Sequence, residues 1–589
     1  MLEVSALRVS DELIPVALER LAQSRGDEPA FTFVDYEVDQ DGFFESLTWS
    51  ELRRRVQVVA GELSKHGAVG DRVAILAPQS MEYIVGFLGA LEAGLVAVPL
   101  SVPMGGAHDE RAARVLENCE PVVVLTTTTS VDAVLPSMNA PSAQGIAVIE
   151  LDVLDYDAPA APYSTDRDGE RLALLQYTSG STGTPSGVSV THRNIVVNID
   201  QIVTDMFSGL GGEPPEETTL VSWLPFYHDL GLMLGIMSPI GIGRHAVVTS
   251  PMSFLQKPSR WIKLLAGYPC VHSAAPNFAF DLAARRTRDE DLEGLSLAGV
   301  RGILNAAERV QAGTIRRFSE RFTPFGLSPG AQTPAYGLAE ATLYVSSAVV
   351  GSDTPVVSFD FERLADGYAV RVDDAGAGSE QIGLGHPRST TFRIVDPESR
   401  TECPEGKVGE IWVYGDNVAA GYWRNPERSE SVFGGRLEAP SEGTAPGPWM
   451  RTGDLGVMSG DDLFVVGRIK DLIIIDGRNH YPDDVESTVS AHTGARTAAI
   501  AVPGDGTEQL VVVAELRRLP SDPAEVATAV RDARAKAAAA IAQRHSLRAS
   551  DIVLVPQGAI PITTSGKTRR QESARLYREG AFQRLGEEA

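Results

Sequence analysis

The feature that most constrains the fold is the alternation of apolar runs and helical patterns over the first 350 residues. DRVAILAP (71–78) is followed by the helical pattern SMEYIVGFLGALEAG, the apolar run LVAVPL, a charged helical stretch from residue 108, and PVVVLTT. This order predicts a mainly parallel sheet covered by helices, because parallel strands need long crossover connections. We therefore expect an α/β fold for this part of the chain.

The rest of the chain shows two other patterns. From about residue 390, short β-type runs are separated by turn residues: TTFRIVD, GEIWVYG, DLFVVG and DLIIIDG. From residue 481, strand-like and helical patterns alternate, and a long alanine-rich helix is predicted over 523–544. The chain has 589 residues, more than one hydrophobic core usually holds. We therefore expect more than one domain.

Charge and composition exclude several classes of protein. The formal net charge of −26 disfavours a nucleic-acid partner, because such binding depends on Lys and Arg neutralising phosphates. Cys119, Cys270 and Cys403 lie far apart, which predicts neither a disulfide framework nor a zinc site. The N-terminus lacks the pattern of a signal peptide, and the apolar stretch 231–243 is too short to span a bilayer. We expect a cytoplasmic protein without an integral membrane segment.

A loop rich in glycine, serine and threonine follows the predicted strand RLALLQYT (171–178). Its sequence, SGSTGTPSG, precedes the helical pattern THRNIVVNIDQIVTDM. Backbone N–H groups of such a turn can cradle an anion, and open α/β sheets bind ligands where a strand leads into a helix. Ser186 and Gly187 stand where a Walker A loop ends in Lys-Ser/Thr, so the cation for a phosphate must come from elsewhere. Taken alone, a stretch of this kind more often forms a surface turn, and its position after a strand favours the anion site.

Five further segments follow this loop. They are SWLPFYHDLGL (222–232), LNAAERV (304–310), PAYGLAEATL (334–343), WMRTGDLG (449–456) with VGRIKDLIIIDG (466–477), and PITTSGKTRR (561–570). In this order and at these intervals, the six motifs resemble those of the adenylate-forming superfamily of acyl-CoA synthetases, luciferases and nonribosomal adenylation domains. The resemblance covers nearly the whole chain. It implies a large N-terminal domain of α/β-layered subdomains with a small β-barrel-like part (1–467), a hinge (468–472), and a small mobile α+β domain (473–589).

The resemblance also implies ATP and Mg²⁺ as cofactors. The loop would hold the β- and γ-phosphates, Tyr336 and Ala307–Glu308 would flank adenine, and Asp454 would accept hydrogen bonds from the ribose. Glu340 and the Thr182 hydroxyl would hold Mg²⁺, which prefers hard oxygen ligands. The full set of implied ATP-binding residues is Thr178, Ser179, Gly180, Ser181, Thr182, Gly183, Ala307, Glu308, Tyr336, Gly337, Leu338, Asp454, Arg468 and Lys567.

Two lysines and one histidine receive roles from the same resemblance. Lys470 matches the hinge position, although an exposed lysine beside Asp471 would have the same sequence. Lys567 would reach the α-phosphate and the substrate carboxylate, and so supply the cation that the loop lacks. His228 is interpreted as a gate or wall of the acyl site, with a satisfied core histidine as the alternative. The implied catalytic residues are Lys567, Glu340, Thr182 and His228.

Within the superfamily, the loop and the segments AAPNFAF (274–280) and KDLIIIDGRNHYPDDVE (470–486) resemble fatty acyl-AMP ligases. An extended connection near 346–382 matches the insertion of that family, which is thought to restrain the C-terminal domain and to disfavour coenzyme A. The resemblance implies activation of a fatty acid and transfer to a holo-acyl carrier protein of a polyketide synthase or nonribosomal peptide synthetase. A fatty acyl-CoA synthetase and a catalytically silent binding homologue are the alternatives, and the silent homologue is expected to lack Glu340, Asp454 or Lys567.

Two surfaces follow less directly from the sequence. The basic segment KTRRQESARLYR (567–578) is predicted to form part of the docking face for a carrier protein, with a solvated helix end as an equal alternative. The acyl pocket is predicted from apolar residues near the second and third motifs, although ordinary core uses the same residue types. Its predicted lining is Trp223, His228, Leu232, Ile236, Ala275 and Phe278.

Overall fold

A computed structural model of the chain describes residues 12–103, 107–138, 145–163, 167–178, 186–373, 378–386, 388–504, 508–517, 522–563 and 566–586. Its fold is α/β, with two large sheets before residue 350, smaller antiparallel sheets up to residue 468, and a three-stranded sheet near the C-terminus. In the described residues, no helix is both long enough and apolar enough to cross a membrane.

The first 350 residues form two large sheets, as the alternating pattern predicts. One sheet has eight strands in the order β14-β13-β12-β11-β9-β10-β1-β2, and the other has six in the order β6-β5-β3-β4-β7-β8. Most neighbouring strands in both sheets are parallel, and the antiparallel pairs are β1/β2, β13/β14 and β7/β8. The strands are β1 (Pro29–Asp35), β2 (Phe43–Thr48), β3 (Arg72–Ile75), β4 (Val96–Pro99), β5 (Val123–Thr126), β6 (Ala147–Glu150), β7 (Leu172–Thr178), β8 (Ser186–Thr191), β9 (Thr218–Ser222), β10 (His245–Thr249), β11 (Cys270–Pro276), β12 (Val300–Ala306), β13 (Gln332–Gly337) and β14 (Tyr344–Ser347).

Helices cover these sheets, and the largest hydrophobic core includes residues of both sheets, such as Ile75 and Ile303. The helices are α1 (Ile14–Ser24), α2 (Trp49–Leu63), α3 (Met81–Glu92), α4 (Ala107–Cys119), α5 (Val131–Val134), α6 (His192–Met206), α7 (Asp229–Leu232), α8 (Ser238–Ile242), α9 (Pro251–Gln256), α10 (Ser259–Ala266), α11 (Asn277–Arg286) and α12 (Ala312–Phe322).

Residues 356–468 form two antiparallel sheets, in the orders β16-β15-β17 and β18-β19-β20-β21. The first sheet lies within the predicted insertion. The elements are β15 (Val356–Asp360), α13 (Phe361–Ala365), β16 (Arg371–Val372), β17 (Gly378–Ile382), β18 (Thr391–Val395), β19 (Gly409–Tyr414), α14 (Pro426–Phe433), β20 (Met450–Ser459) and β21 (Asp462–Arg468).

The C-terminal region has its own hydrophobic core, which includes Val485, Val512, Ile541 and Leu554. Its three-stranded sheet has the order β24-β25-β26, and the alanine-rich segment is helical as expected. The elements are β22 (Ile473–Ile475), β23 (Arg478–His480), α15 (Pro482–Thr493), β24 (Thr497–Pro503), β25 (Glu508–Leu516), α16 (Pro523–His545), β26 (Asp551–Pro556) and α17 (Arg570–Arg578).

One local expectation was wrong. The glycine-rich loop does not lead directly into a helix: residues 186–191 form β8, which pairs antiparallel with β7, and α6 begins only at His192. The β-branched valines of SGVSVT favour a strand. Thr191 and Asn194 then form a reciprocal capping box that starts α6. The loop therefore connects two strands, and β8 separates it from the N-terminus of α6.

Candidate active site

A cleft of about 890 Å³ opens at the C-terminal ends of β11, β12 and β13. Residues of β21, of the turn that follows it, and of the C-terminal segment 563–578 complete its walls. Ligands of open α/β sheets bind at the carboxyl ends of the strands, so this is the expected place for a site. The cleft contains most of the described residues that the sequence motifs assign to ATP.

Tyr336, Asp454 and Arg468 meet on one side of the cleft. Asp454 on β20 pairs in register with Arg468 on β21, and Arg468 Nε lies 2.7 Å from Asp454 Oδ1. Tyr336 Oη donates a hydrogen bond of 2.8 Å to Asp454 Oδ2. Burial and the Asp454 charge raise the pKa of Tyr336 well above its ordinary value, so the phenol stays a neutral donor. Asp454 is thus a buried carboxylate held from both sides, with lone pairs left for further donors.

The segment after β12 forms another wall. Ala307 has a φ of +68°, a left-handed conformation that non-glycine residues adopt only at an energetic cost. The bend brings the Glu308 carboxylate to the start of α11, where it accepts a 2.6 Å hydrogen bond from the Phe278 backbone N–H. Burial raises the pKa of Glu308. Ala307 and Glu308 therefore line the cleft at the end of β12, the strand that pairs with β13.

A tight turn after β13 presents Glu340. A Cβ on Gly337 would lie 1.8 Å from the carbonyl oxygen of Leu343, so only glycine fits there. Leu338 leads into a 3₁₀ turn, Ala339–Ala341, from which Glu340 Oε1 accepts a 2.7 Å hydrogen bond from Tyr422 Oη. Glu340 is a hard oxygen donor on the cleft wall, which suits Mg²⁺. The described residues contain no group of three or more His, Cys, Asp or Glu arranged for a metal.

The glycine-rich loop leaves β7 at Thr178, which lies opposite Ser186 of β8 and lines the cleft. A Cβ on Gly187 would come within 2.9 Å of the Tyr177 ring, so the hairpin is closely packed at the end that carries the loop. The predictions for Ser179, Gly180, Ser181, Thr182 and Gly183 lie outside the described residues.

Lys567 extends from the C-terminal region into the cleft. The turn before it is closed by two hydrogen bonds, from Thr563 N to Lys567 O at 2.8 Å and from Lys567 N to Thr563 Oγ1 at 3.0 Å. The pKa of Lys567 is lowered, mainly by burial and then by the Arg468 charge. The charges of Asp229, Glu308 and Asp454 act in the opposite direction but do not outweigh burial. The lysine therefore faces the carboxylates of both walls of the cleft.

Lys470 lies in the 3₁₀ turn Ile469–Asp471, directly after β21. It lines the cleft beside Arg468, and burial followed by that charge lowers its pKa. The structure thus places Lys470 between the residues before the proposed hinge and those after it. Its role in a hinge stays a prediction.

His228 also lies on the cleft wall, just before α7. Its Nδ1 lies 2.5 Å from Asp229 Oδ1. Burial raises the pKa of Asp229, but His228, the Leu230 backbone N–H and Lys567 outweigh burial and hold this pKa below its ordinary value. The histidine therefore has a carboxylate partner at the cleft, which sequence reasoning did not assign.

The residues predicted for the acyl pocket separate into two groups. His228 and Phe278 line the cleft, whereas Trp223, Leu232, Ile236 and Ala275 are buried in the main core. The Trp223 ring stacks on Phe254 with centroids 3.9 Å apart. Four of the six residues thus have the core position that the sequence left as the alternative. Other apolar residues line the cleft: Ile202, Leu230, Leu304 and Leu343.

The predicted insertion contacts the C-terminal region at three points. The Phe361 ring lies edge-on to His545 with centroids 4.9 Å apart, and Asp366 lies 3.7 Å from Arg478. Ser379 Oγ donates a 2.8 Å hydrogen bond to Asp484 Oδ2. These contacts link α13 and β17 to β23, α15 and α16.

The basic segment 567–578 has fewer available charges than its sequence suggests. Arg570 is surrounded by Asp471, Asp483 and Glu486 at 2.7–3.2 Å, so it is an internal ion-pair centre. Arg575 pairs with Glu572 and Glu579 along α17. Arg569, Arg575 and Arg578 nevertheless border the cleft. The carrier-docking hypothesis therefore rests on the rim residues and not on Arg570.

The motifs also missed residues that support the site. Tyr422 binds Glu340, and the Arg428 guanidinium stacks on the Tyr422 ring at 4.2 Å and donates to Ser186 Oγ. Arg111 of α4 reaches the same cleft. These residues are single aromatic or basic side chains in the sequence, and only the pairing of distant segments brings them to the site.

Comparisons with known proteins agree with this geometry. The family model for AMP-binding enzymes matches residues 18–423. The long-chain-fatty-acid–AMP ligase FadD26 of Mycobacterium marinum is 52% identical over 98% of this chain and 99% of its own. The long-chain-fatty-acid–AMP ligase FadD28 of Mycobacterium tuberculosis is 49% identical over 97% of this chain and 99% of its own.

A solved structure extends the similarity to three dimensions. It is the fatty acyl-adenylate ligase of Legionella pneumophila in complex with acyl adenylate and pyrophosphate. It is 32% identical to this chain, with a TM-score of 0.73, and the match covers 98% of this chain and 97% of that one. Because the family model and the relatives together span nearly the whole sequence, the chain belongs to the AMP-binding enzymes and, among them, to the fatty acyl-AMP ligases.

Proposed function

We propose that this chain uses ATP to convert a fatty acid to its acyl-adenylate and then passes the acyl group to the phosphopantetheine thiol of an acyl carrier protein. In the first step, a carboxylate oxygen attacks the α-phosphorus and the bond to the β-phosphate oxygen breaks, so pyrophosphate leaves. In the second step, the thiolate attacks the acyl carbon and AMP leaves. The main support is a single cleft that brings Tyr336, Asp454 and Glu340 together with Lys567.

The nucleotide would lie between β13 and the segment after β12. Tyr336 and Ala307–Glu308 would flank adenine, and the Asp454 carboxylate is oriented to accept hydrogen bonds from ribose hydroxyls. Because Tyr336 and Arg468 hold both carboxylate oxygens before the ligand arrives, little side-chain entropy is lost on binding. Thr178 and the glycine-rich loop would hold the β- and γ-phosphates.

Charge neutralisation dominates the chemistry that these residues can perform. Lys567 would contact the α-phosphate and the incoming carboxylate, stabilising the negative charge that builds up in the displacement. Glu340, with Thr182 as the proposed second ligand, would hold Mg²⁺, which supplies further neutralisation of phosphate charge when bound. No general base is required, because the attacking carboxylate is already ionised.

The acyl group would leave the nucleotide site past His228 and Phe278. The apolar cleft residues Leu230, Leu304 and Leu343 favour an alkyl chain over a polar acid. The core position of Trp223 and Ile236 means that any deeper extension of the pocket requires these side chains to move.

The acceptor and the domain organisation belong to the same proposal. We propose a hinge at 468–472 between an N-terminal domain (1–467) and a C-terminal domain (473–589). The contacts of the 346–382 insertion with the C-terminal region support a restraint that favours a carrier protein over coenzyme A. The Arg569, Arg575 and Arg578 rim would then meet an acidic carrier. Since the reaction consumes ATP, we place it in the cytoplasm.

The test incubates the purified protein with ATP, Mg²⁺ and a mixture of fatty acids, and divides the reaction three ways. One portion receives coenzyme A, one a phosphopantetheinylated carrier protein, and one no acceptor, with products identified by mass spectrometry. Acyl-AMP without acceptor and acyl-carrier with the second portion are the expected products. Abundant acyl-CoA would identify a synthetase instead, and no acyl-AMP in any portion would indicate a silent homologue or another acid.

Two variants separate the two steps. Lys567→Ala should reduce the rate of acyl-AMP formation about 100-fold or more, because it removes a charged contact to the reacting phosphate. Arg575→Glu with Arg578→Glu should slow transfer to the carrier and leave acyl-AMP formation unchanged. Equal loss in both steps for this double variant would count against docking at the rim.

A further inference from the structure

Arg428 of α14 is a cation at the cleft that the motif roles leave unassigned. Its guanidinium stacks on the Tyr422 ring at 4.2 Å, donates to Ser186 Oγ and lines the cleft with Thr178, Glu340 and Lys470. We propose that Arg428 binds the pyrophosphate end of ATP and stabilises pyrophosphate as the leaving group. The inference rests on the proposed function, and it goes beyond it by assigning a second cation, besides Lys567, to the phosphate end of ATP.

The partners of Arg428 are unusual for a partly buried guanidinium. An arginine offers five N–H donors and stays charged, so burial usually brings a carboxylate to it. Within the described residues, Arg428 takes part in no ion pair of 4.0 Å or less, and its contacts are a serine hydroxyl and a tyrosine. Arg424, four residues earlier, pairs with Glu120 at 2.6 Å. Arg428 therefore holds donors and charge that suit an anionic ligand.

Its position beside Ser186, one of the two residues that flank the glycine-rich loop, points to that ligand. Ser186 lies directly opposite Thr178 in the β7–β8 hairpin. These two residues are the last paired residues before the connecting residues 179–185. A guanidinium bound to Ser186 is thus fixed at the strand end that leads into the loop proposed to hold the phosphates. Guanidinium groups match phosphate oxygens in a bidentate geometry, which makes arginine well suited to this contact.

Arg428 is also connected to the proposed metal site. The Tyr422 ring beneath its guanidinium donates through Oη to Glu340 Oε1 at 2.7 Å. Both contacts of Arg428 therefore connect it to groups that we assign to the triphosphate. Ser186 adjoins the glycine-rich loop in the chain, and Tyr422 is hydrogen-bonded to Glu340, the proposed Mg²⁺ ligand. Lys567 comes from the C-terminal region, whereas Arg428 precedes the hinge and would stay with the phosphates when the C-terminal region moves.

This division predicts which half-reaction needs Arg428. When the bond between the α-phosphorus and the β-phosphate oxygen breaks, the electron pair goes to that oxygen, and the added negative charge lies on pyrophosphate. Arg428 would neutralise this charge. Transfer from a preformed acyl-adenylate involves no pyrophosphate, so it should not depend on Arg428.

The test compares Arg428→Gln and Arg428→Lys with Arg424→Gln as the matched control from the same segment. Calorimetry measures binding of Mg²⁺-pyrophosphate, ATP–pyrophosphate exchange gives KM values, and transfer of synthetic acyl-adenylate to the holo carrier measures the second step. We expect Arg428→Gln to weaken pyrophosphate binding and to raise its KM about 10- to 100-fold, since a hydrogen bond to a charged group contributes about 1.5–3 kcal/mol. The lysine variant should recover part of the loss, and Arg424→Gln and the transfer step should stay within about twofold of wild type.

Three results would overturn the proposal. Pyrophosphate binding and KM unchanged in Arg428→Gln would show that the guanidinium does not touch the ligand. An equal loss of transfer from synthetic acyl-adenylate, or a lowered melting temperature in Arg428→Gln alone, would show that its role is structural. If the wild-type protein forms no acyl-AMP, the proposed function fails, and the calorimetric comparison still decides whether Arg428 binds pyrophosphate.

Discussion

Arg309 and Asp484 form an ion pair across the seam between the N-terminal and C-terminal parts of the chain, with Arg309 Nη2 2.6 Å from Asp484 Oδ1. Arg309 follows the proposed adenine-binding segment, and Asp484 lies in the first turn of α15. The other oxygen of Asp484 accepts a hydrogen bond from Ser379 of the insertion at 2.8 Å. A single carboxylate therefore contacts the segment proposed to bind adenine and the predicted insertion, and links both to the C-terminal region. Lys567 lies in the cleft in this arrangement.

Asp484→Asn should weaken this seam. The amide keeps the shape of the side chain but loses the charge facing Arg309, and removing one partner of a largely buried pair costs about 3 kcal/mol or more. We expect acyl-AMP formation to fall about 10-fold or more, because Lys567 is then held less often at the α-phosphate. Asp157→Asn, which removes an exposed partner of Arg54, is the control and should have little effect. Wild-type rates for Asp484→Asn would mean that the seam does not position Lys567.

Tyr336→Phe tests the nucleotide site without removing the ring. The substitution deletes the 2.8 Å hydrogen bond to Asp454 but keeps the aromatic face proposed to lie against adenine. We expect the KM for ATP to rise about 10- to 100-fold, as for loss of one hydrogen bond to a charged group, with a smaller effect on the fatty-acid KM. Steady-state pyrophosphate release at varied ATP provides the measurement. Equal increases in both KM values would instead indicate a general distortion of the cleft.

The sequence predicted much of this architecture because parallel strands and their crossover helices have clear hydrophobic periods. The motif residues Tyr336, Asp454 and Lys567 were assigned through the resemblance of their segments to a known superfamily, and the fold brings them to one cleft. The loop after β7 was misassigned, since glycine and proline hide whether a strand or a helix follows. The pairing of β8 with β7 decided that point, and β8 also forms backbone hydrogen bonds with Gly421 and Trp423, which are distant in sequence.

The residues that sequence reasoning could not identify lack any local signal. Arg428 is recognised as a candidate ligand-binding residue only through its contacts with Tyr422 and Ser186, which lie outside α14. The acyl pocket stays a prediction, because apolar residues such as Ile236 look the same in a core and in a tunnel. Residues that line a pocket can be identified only when it is known which side of a buried helix faces the cavity. The hydrophobic periodicity of the sequence does not give that information.

The pH dependence of acyl-AMP formation should report on Lys567. Burial and the Arg468 charge lower its pKa below the ordinary lysine value of 10.5, and only the protonated form can neutralise phosphate charge. The rate should therefore decline on the alkaline side at a pH below 10.5, because the lysine loses its proton earlier than an exposed one. Lys567→Arg should move this decline to higher pH at a reduced maximal rate. An alkaline limb that is identical in both proteins would assign the decline to another group.

The insertion should determine which thiol accepts the acyl group. Phe361→Ala with Asp366→Asn removes the ring contact with His545 and the ion pair with Arg478, so the C-terminal region is held less tightly. We expect acyl-CoA formation to increase severalfold, because coenzyme A binding requires freedom that these contacts restrict, while acyl-AMP formation stays within about threefold of wild type. Val356→Ala, an exposed change on β15 of the same insertion, is the matched control. Mass spectrometry of acyl-CoA and acyl-carrier products gives the ratio of acceptors. If the double variant keeps the wild-type ratio although its contacts are lost, the selectivity against coenzyme A must come from the cleft itself and not from the insertion.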